Sequence, residues 1–197
     1  MTTFFTADLH FCHEGILKSA ARPFGSVDEM DRAMIASWNS VVTNRDEIFV
    51  VGDFAYRGGA ERHQRIFDKL AGRKNLVQGN HDHKHLPRGW ASISEIKILQ
   101  LDGDKIVLAH YPMREWPGFH TGAYHLFGHT HSRVPGSARC LDVGVDNIGF
   151  TPQSWPQIKT RMALMPDLQY VEGQLFVPRS DVVEEETGDE DGRSFRP

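Results

Sequence analysis

The sequence predicts an α/β domain in which helices cover β-sheet structure, and two observations carry this prediction. In the first half of the 197-residue chain, short segments rich in valine, isoleucine and phenylalanine alternate with segments whose apolar residues recur at helical spacing. In the second half, two pairs of apolar segments flank turn signals, which predicts β-hairpins. One sheet with antiparallel additions and two sheets packed as a sandwich would both accommodate these elements.

Five segments predict the strands that precede the candidate site. Each is short and apolar and is followed by polar residues, a pattern that favours extended structure. These segments are residues 2–6, 47–51, 75–78, 105–109 and 124–127.

Two hairpins are predicted in the second half. Residues 96–101 and 105–109 flank Asp102 and Gly103, and residues 168–171 and 174–177 flank Glu172 and Gly173. The first hairpin has the stronger signal because an Asp-Gly pair readily accepts positive φ.

Two helices are predicted between the early strands. Ser26 stands three residues before Glu29, the spacing of a capping box that begins a helix. The apolar residues that follow predict one buried face: Met30, Met34, Trp38 and Val41. A second helix over residues 62–70 repeats the pattern with Ile66, Phe67 and Leu70, and Gly72 is placed to cap it.

Length and charge predict one domain with an acidic tail. Domains average about 150 residues, so we expect one domain at residues 1–179. Residues 180–197 hold seven acidic residues and two arginines, which predicts a solvated, disordered tail. Because this tail accounts for the net charge of −4, the rest of the chain is close to neutral. A near-neutral body argues against extended DNA or RNA as a partner, since those need a broad basic face.

Cysteine content and the absence of long apolar segments predict a cytoplasmic protein. Cys12 and Cys140 are too few for a disulfide framework, and Cys12 is expected to be a small buried residue. The first residues lack the basic region and apolar stretch of a secretion signal. Because no apolar run approaches the roughly 18 residues that span a bilayer, we expect no membrane association.

Candidate metal ligands follow the predicted strands, one group after each strand. Asp8 and His10 are two residues apart, so on an extended backbone their side chains point the same way. The other groups are Asp53, then Asn80 with His81 and Asp82, then His110, and last His129 with His131. If the strands share a sheet and point the same way, these groups meet at one edge.

The ligand types predict the kind of ion. Carboxylate, amide and imidazole groups suit Mn²⁺, Fe or Zn²⁺ better than Mg²⁺ or Ca²⁺, which prefer oxygen throughout. Seven ligands are too many for one ion, whereas two ions that share a bridging carboxylate would use them all.

These motifs resemble, in order and content, those of the calcineurin-like metallophosphoesterase superfamily. They are Asp8-Leu9-His10, Gly52-Asp53, Gly79-Asn80-His81-Asp82, His110 and Gly128-His129-Thr130-His131. The flanking sequences DLHFCHEGIL, RPF at residues 22–24 and GVDNIGF after residue 143 are similar to a small bacterial and phage branch of that superfamily. The fold that the resemblance implies is a two-sheet β-sandwich flanked by helices.

The resemblance also implies a role for each motif residue. Asp8, His10 and His131 would hold one divalent ion, and Asn80, His110 and His129 would hold the second. Asp53 would bridge the two ions, His81 would protonate the leaving oxygen, and Asp82 would orient His81. We expect Mn²⁺, with Fe, Zn²⁺ or Ni²⁺ as alternatives. The nucleophile would be a hydroxide that bridges the ions, because two cations lower the pKa of bound water toward neutrality.

Residues near the motifs are candidates for substrate contact. His13 is expected to contact the substrate phosphate, to cap a helix or to support the ligands. Three arginines are candidate phosphate clamps: Arg22, Arg57 and Arg114. His83 and His85 could bind substrate or an ion, or lie in a solvated loop, and Trp116 could stack on a base rather than pack.

Together these observations predict a hydrolase of phosphoric esters that uses two metal ions. The preferred substrate is a small or nucleotide-like phosphodiester, because the body is near neutral and the short chain leaves little material for a lid. A nuclease that acts on short single-stranded ends and a phosphomonoesterase remain open. So do a binding module, in which metal sites stabilise a scaffold for a protein partner without catalysis, and a purely structural zinc site with one tightly held ion per chain. The sequence does not set the oligomeric state.

Overall fold

The structure is a computed structural model that describes residues 1–169 and 177–178. Its strands are β1 (Thr3–Thr6), β2 (Glu47–Val50), β3 (Arg73–Val77), β4 (Ser92–Ser94), β5 (Ile96–Leu101), β6 (Asp104–Ala109), β7 (Tyr124–Phe127), β8 (Cys140–Asp142), β9 (Gln153–Ser154), β10 (Leu168–Gln169) and β11 (Val177–Pro178). Its helices are α1 (Glu14–Ser19), α2 (Val27–Val41), α3 (Gly59–Phe67), α4 (Val145–Ile148) and α5 (Trp155–Met162), with a 3₁₀ turn at Phe119–Thr121.

The first sheet has the strand order β4-β3-β2-β1-β9. Strands β1 to β4 are parallel to their neighbours, and β9 pairs antiparallel with β1. Parallel neighbours need a crossover connection, which α2 supplies between β1 and β2 and α3 between β2 and β3. The carboxyl ends of β1, β2 and β3 therefore lie at one edge of this sheet.

The second sheet has the order β5-β6-β7-β8. Strands β5 and β6 form the antiparallel hairpin predicted around Asp102 and Gly103, and both turn residues have positive φ, 53° and 86°. Two positive φ values are the mark of a type I′ turn, whose twist matches that of the strands. Strands β6, β7 and β8 are parallel, so their carboxyl ends also share an edge.

One cluster of buried apolar residues lies between the two sheets and draws on both, which settles the question that the sequence left open. Along β1 and β2 the side chains alternate: Phe5 and Phe49 pack toward the second sheet, and Phe4 and Ile48 pack toward the helices. The second sheet and α5 complete the core with Ile106, Leu108, Leu126, Leu141, Trp155, Ile158 and Met162. The predicted two-sheet sandwich flanked by helices is confirmed.

Helix α2 buries most of its predicted face. Met30, Met34 and Trp38 are buried, but Val41 is exposed because it lies in the last turn, where the helix leaves the core. The Ser26 hydroxyl accepts a hydrogen bond from the Glu29 amide. The Glu29 carboxylate accepts from the amide of Gly25 rather than that of Ser26, so only half of the predicted capping box forms.

Helix α3 begins and ends earlier than predicted. It spans Gly59–Phe67, so Leu70 is buried in the loop that follows and Gly72 lies too far away to cap it. Gly72 instead has φ +91° in the turn that leads into β3, where an added Cβ would lie 2.8 Å from Val42. Gly72 therefore permits the turn before β3 and does not cap α3.

The structure describes part of the second predicted hairpin, near the C-terminus. Strands β10 and β11 pair antiparallel, as predicted for the second hairpin. Its turn at residues 172–173 and the acidic tail at residues 180–197 lie outside the described residues, so the domain limit at residue 179 stays a prediction. Among the described residues, no helix has the length and apolar character needed to cross a membrane.

Candidate metal centre

Both sheets deliver polar side chains to one edge of the sandwich. Asp8 and His10 follow β1, Asp53 follows β2, and Asn80 and His81 follow β3. From the second sheet, His110 follows β6, and His129 and His131 follow β7. These strand-end residues converge as expected, and we call them the rim.

Most rim residues have an unusual backbone. Positive φ values occur at Asp8 (54°), His10 (50°), Asp53 (56°), His129 (68°) and His131 (46°). Such values are uncommon for residues with a side chain and cost about 1–3 kcal/mol each, so they persist only where surrounding contacts enforce them. Their concentration at one edge marks this edge as the functional site.

The first group of ligands lies at the end of β1. Asp8, His10 and His131 each offer one ligand atom, and these atoms lie within 4.8 Å of one another. Asp8 is buried, and both of its carboxylate oxygens accept a hydrogen bond from the His129 amide, at 3.0 and 2.9 Å. This bond ties the end of β1 to the loop after β7.

The second group lies between β2, β3, β6 and β7. Ligand atoms of Asp53, His110 and His129 are also within 4.8 Å of one another. The amide oxygen Oδ1 of Asn80 lies 3.1 Å from Nε2 of His110 and 3.0 Å from Nδ1 of His129. A Cβ at Gly52 would lie 2.1 Å from Nδ1 of His110, so glycine is required for the ring to approach.

Asp53 belongs to the second group and also faces a residue of the first. Its Oδ2 atom is 3.5 Å from Nε2 of His10 and 3.5 Å from Nε2 of His110. Its Oδ1 atom accepts a hydrogen bond from the His81 amide at 2.9 Å. One carboxylate thus faces ligand nitrogens of both groups, the position that a bridging ligand requires.

The unsatisfied bonding capacity of the rim fits divalent ions. Nε2 of His10 is buried and has no hydrogen-bond partner, a costly condition for a polar atom. A bound cation would satisfy this nitrogen and the oxygens beside it. Imidazole, carboxylate and amide ligands together suit a transition metal of intermediate hardness.

Burial and close contacts between charged groups shift the pKa values of several rim residues. Burial raises the pKa of Asp8 to about 7. Burial would also raise the pKa of Asp53, but the hydrogen bond and charge of His110 outweigh it and lower the value to about 2. Burial works against the charged form of His110, yet the hydrogen bond to Asp53 raises its pKa to about 9. Asp53 therefore stays ionised at neutral pH.

His81 lies at the rim, but its expected partner does not contact its ring. The His81 ring is 5.2 Å from that of His10 and 4.5 Å from that of Tyr56, and its side chain is 30 % exposed. The buried Asp82 carboxylate instead accepts hydrogen bonds from the amides of Asp53, Phe54 and Gly79. The prediction that Asp82 orients His81 is wrong: Asp82 fixes the backbone that carries Asp53.

Arg22 is also a correction. Its guanidinium is buried, pairs with both carboxylate oxygens of Asp146 at 2.8 and 2.9 Å, and donates to the carbonyl oxygens of Asp8 and Leu9. No face of it is open to a substrate, so the prediction of a phosphate clamp is wrong. Arg22 holds the backbone at Asp8, where φ is positive.

Asp146 is the supporting residue that sequence reasoning missed. Its Oδ2 atom lies 2.6 Å from Nδ1 of His131, which leaves the other ring nitrogen for an ion. This hydrogen bond raises the pKa of His131, and the bonds from His131 and Arg22 outweigh burial and lower the pKa of Asp146. The sequence did contain a signal for this pair. The segments RPF and GVDNIGF accompany the motifs, and they contain Arg22 and Asp146.

The remaining candidates divide between the rim and other places. Nδ1 of His13 lies 3.4 Å from Nδ1 of His10, and the exposed Arg57 lies over the Tyr56 ring at 5.5 Å, so both are close to the rim. Arg114 lines an apolar cavity instead. Trp116 is buried and donates to the Ala123 carbonyl, so packing is its role.

Cys12 is buried, as expected. Tyr111, whose ring is 4.5 Å from that of His129, was missed by sequence reasoning, although its place directly after His110 could have indicated it.

Comparisons with known proteins give a family. Residues 1–165 match the model of the calcineurin-like phosphoesterase superfamily domain. A protein of Methanocaldococcus jannaschii is 25% identical over 159 residues, which cover 77% of this chain and 85% of that protein. The Gene 66 protein of Mycobacterium phage L5 is 27% identical over 183 residues, with coverage of 75% and 87%.

A solved structure supports the fold. The crystal structure of a protein of unknown function from Aquifex aeolicus is 25% identical and has a TM-score of 0.68, with coverage of 81% of this chain and 98% of that one. The family model includes every strand that carries a rim residue. This chain therefore belongs to the calcineurin-like phosphoesterase superfamily and is a metal-dependent phosphoesterase.

Proposed function

We propose that this protein is a phosphodiesterase that acts on small or nucleotide-like phosphodiesters with two divalent ions. The observation that carries this proposal is the position of Asp53, whose Oδ2 atom faces nitrogens of both ligand groups at 3.5 Å, next to the unpartnered Nε2 of His10. One ion would be held by Asp8, His10 and His131, and the other by Asn80, His110 and His129, with Asp53 shared. We assign Mn²⁺ first, with Fe, Zn²⁺ or Ni²⁺ as alternatives.

Two such ions would lower the pKa of a coordinated water and neutralise charge on the phosphoryl oxygens. The chain itself supplies position and proton transfer. Asp82 and Arg22 fix the backbone of Asp53 and Asp8, so the carboxylates are held before the substrate arrives. His81, part exposed and beside the rim, would deliver a proton to the leaving oxygen. His13 and Arg57 would contact the phosphate.

Charge and thiol chemistry support the remaining assignments. The near-neutral body favours a small phosphoester over extended nucleic acid as the partner. Cys12 and Cys140 are free and buried, which supports our placement of the protein in the reducing cytoplasm.

A metal and substrate screen tests the function. Chelator-treated protein is loaded with Mn²⁺, Zn²⁺ or Ni²⁺, or with Fe under anaerobic conditions, the bound metal is counted, and each preparation is assayed on three substrates. These are bis-p-nitrophenyl phosphate, p-nitrophenyl phosphate and a short single-stranded oligonucleotide. We expect two ions per chain and preference for the diester. Activity on the monoester alone would replace the proposal with a phosphomonoesterase, and efficient trimming of the oligonucleotide would favour a nuclease.

Loss of catalysis is the alternative from another class. If the loaded protein hydrolyses no phosphoester, the metal sites only stabilise a binding scaffold, whereas one tightly held ion per chain would indicate a purely structural zinc site. The complete set of ligands and the presence of His81 support the enzyme instead.

A further inference from the structure

A cationic cleft opens beside the rim, on the side of His81. It has a volume of about 400 Å³, and Asn80 and His81 form the part of its lining that belongs to the rim. Its outer walls carry Arg57, His83, Lys84 and His85. No acidic residue is among the described residues that line it.

The charges of this cleft are not neutralised by the protein. Within the described part of the chain, neither Arg57 nor Lys84 forms an ion pair with a carboxylate, whereas Arg22 and Arg62 each have acidic partners. The cavity on the other side of Asn80, of about 320 Å³, is lined in part by Glu95, and a larger cavity of about 660 Å³ is mostly apolar. The cleft is thus the one of these three that attracts an anion.

A buried histidine joins the two walls of the cleft. His63 lies on α3, its Nε2 contacts the carbonyl oxygen of Arg57, and its Nδ1 lies 3.0 Å from the carbonyl oxygen of His85. Arg57 and His85 both have positive φ, 65° and 61°, in the two loops that His63 connects. The basic side chains are therefore presented by a fixed backbone, which lowers the cost of ordering them around a ligand.

We propose that this cleft binds a second phosphate group of the substrate, one carried by the leaving group. This inference rests on the proposed function, because that function places the leaving oxygen beside His81, which also lines the cleft. Lys84 and His85 would contact the second phosphate. The substrate class is then a phosphodiester that bears a further phosphate, as in a terminally phosphorylated dinucleotide.

Binding to three matched ligands tests the proposal. They are a phosphorothioate-linked adenosine dinucleotide, which resists hydrolysis, without a terminal phosphate, with a 5′-phosphate and with a 3′-phosphate. Dissociation constants for the Mn²⁺-loaded full chain are measured by calorimetry. We expect one of the two phosphorylated ligands to bind about tenfold or more tightly than the unphosphorylated one, the range of a hydrogen bond to a charged group.

Charge-matched variants assign the effect to the cleft. Lys84→Gln should reduce the advantage of the phosphorylated ligand to about threefold or less, and Lys84→Arg should restore it. Lys69→Gln removes one positive charge from an exposed position outside the cleft and should leave the advantage unchanged.

The possible outcomes separate this inference from the proposed function. Equal binding of all three ligands, equal effects of the two glutamine variants, or no binding at millimolar concentration would overturn the second-phosphate site. Hydrolysis of bis-p-nitrophenyl phosphate by the same preparation reports on the function. A preparation that prefers a phosphorylated ligand but hydrolyses no ester would leave an anion-binding cleft and refute the phosphodiesterase.

Discussion

Histidines at the rim and histidines in the body of the protein differ in what their ring nitrogens contact. Nε2 of His110 faces Asn80 and Asp53, and Nδ1 of His129 faces the Asn80 amide oxygen. In the body, Nδ1 of His125 contacts the Val107 carbonyl and its Nε2 accepts from the Met113 amide. All three rings form hydrogen bonds, but among these three only His110 and His129 place a nitrogen beside the side chains of other candidate metal ligands.

The contacts of each of these histidines follow from where it lies relative to a strand. His125 lies within β7 and holds backbone to backbone, whereas His110 and His129 come just after strands, where the chain turns and several loops meet. Position relative to the strand end, rather than residue type, separates the candidate ligands from the structural histidines.

The Asp53 carboxylate faces both groups of candidate ligands, so we expect its removal to have a larger effect than any other change at the rim. We expect Asp53→Asn to lower phosphodiester hydrolysis by more than about 10³-fold, beyond the usual effect of losing one electrostatic stabiliser. Bound metal, measured by elemental analysis, should fall from the two ions per chain that we propose to one or none. Asp104→Asn, which changes a carboxylate bonded to Trp155 and Lys159 away from the rim, should change neither quantity. Full activity of Asp53→Asn would end the assignment of a shared ligand.

His81 tests the boundary of the rim, because its ring could either bind an ion with His10 and Asp53 or transfer a proton. We expect His81→Asn to lower kcat by about 10² to 10⁴-fold with bound metal unchanged, the range of general acid catalysis. The loss should be larger for an alkyl leaving group than for p-nitrophenolate, which needs less protonation. If the variant loses an ion instead, His81 is a ligand.

The positions of the rim residues could be predicted from the sequence because strand-end motifs depend on local patterns. The local patterns alone did not give the arrangement of the sheets, since hairpins around residues 102–103 and 172–173 fit one sheet or two, and the two-sheet prediction came from the family resemblance. The errors at Arg22 and Asp82 have one cause. Both residues contact backbone atoms brought near by folding, and a sequence does not show which charged side chains will be buried. Asp146 was missed because its partners, the side chains of Arg22 and His131, are also brought near it only by folding.

Asp146 holds the His131 ring in place by accepting a hydrogen bond from Nδ1, which leaves Nε2 for an ion. We expect Asp146→Asn to weaken Mn²⁺ binding by about 10- to 100-fold, as is typical for a residue that hydrogen-bonds a ligand. At saturating Mn²⁺ most of kcat should return, because the ligands themselves remain. The exposed Asp28, which pairs with Arg62, gives a matched control in Asp28→Asn. Unchanged Mn²⁺ affinity in Asp146→Asn would show that His131 needs no support.

For His125, in the body of the protein, we expect a change only in how the free energy of unfolding depends on pH. Burial lowers the pKa of His125 to about 4, against 6.5 for an ordinary histidine. Between these values the unfolded chain binds a proton that the folded protein excludes, so this contribution to stability is present above pH 6.5 and is lost as pH falls toward 4. The loss approaches about 1.4 kcal/mol for each pH unit. His125→Phe should therefore flatten the dependence of the unfolding free energy on pH between about pH 7 and pH 5, measured in urea with a chelator present.

The exposed His120 serves as the control, since His120→Gln should keep the wild-type slope. Because titration of the rim is common to all three proteins, a slope in His125→Phe equal to that of the wild type would mean that the folded protein binds this proton after all, and the contrast between rim and body histidines would fail on the body side.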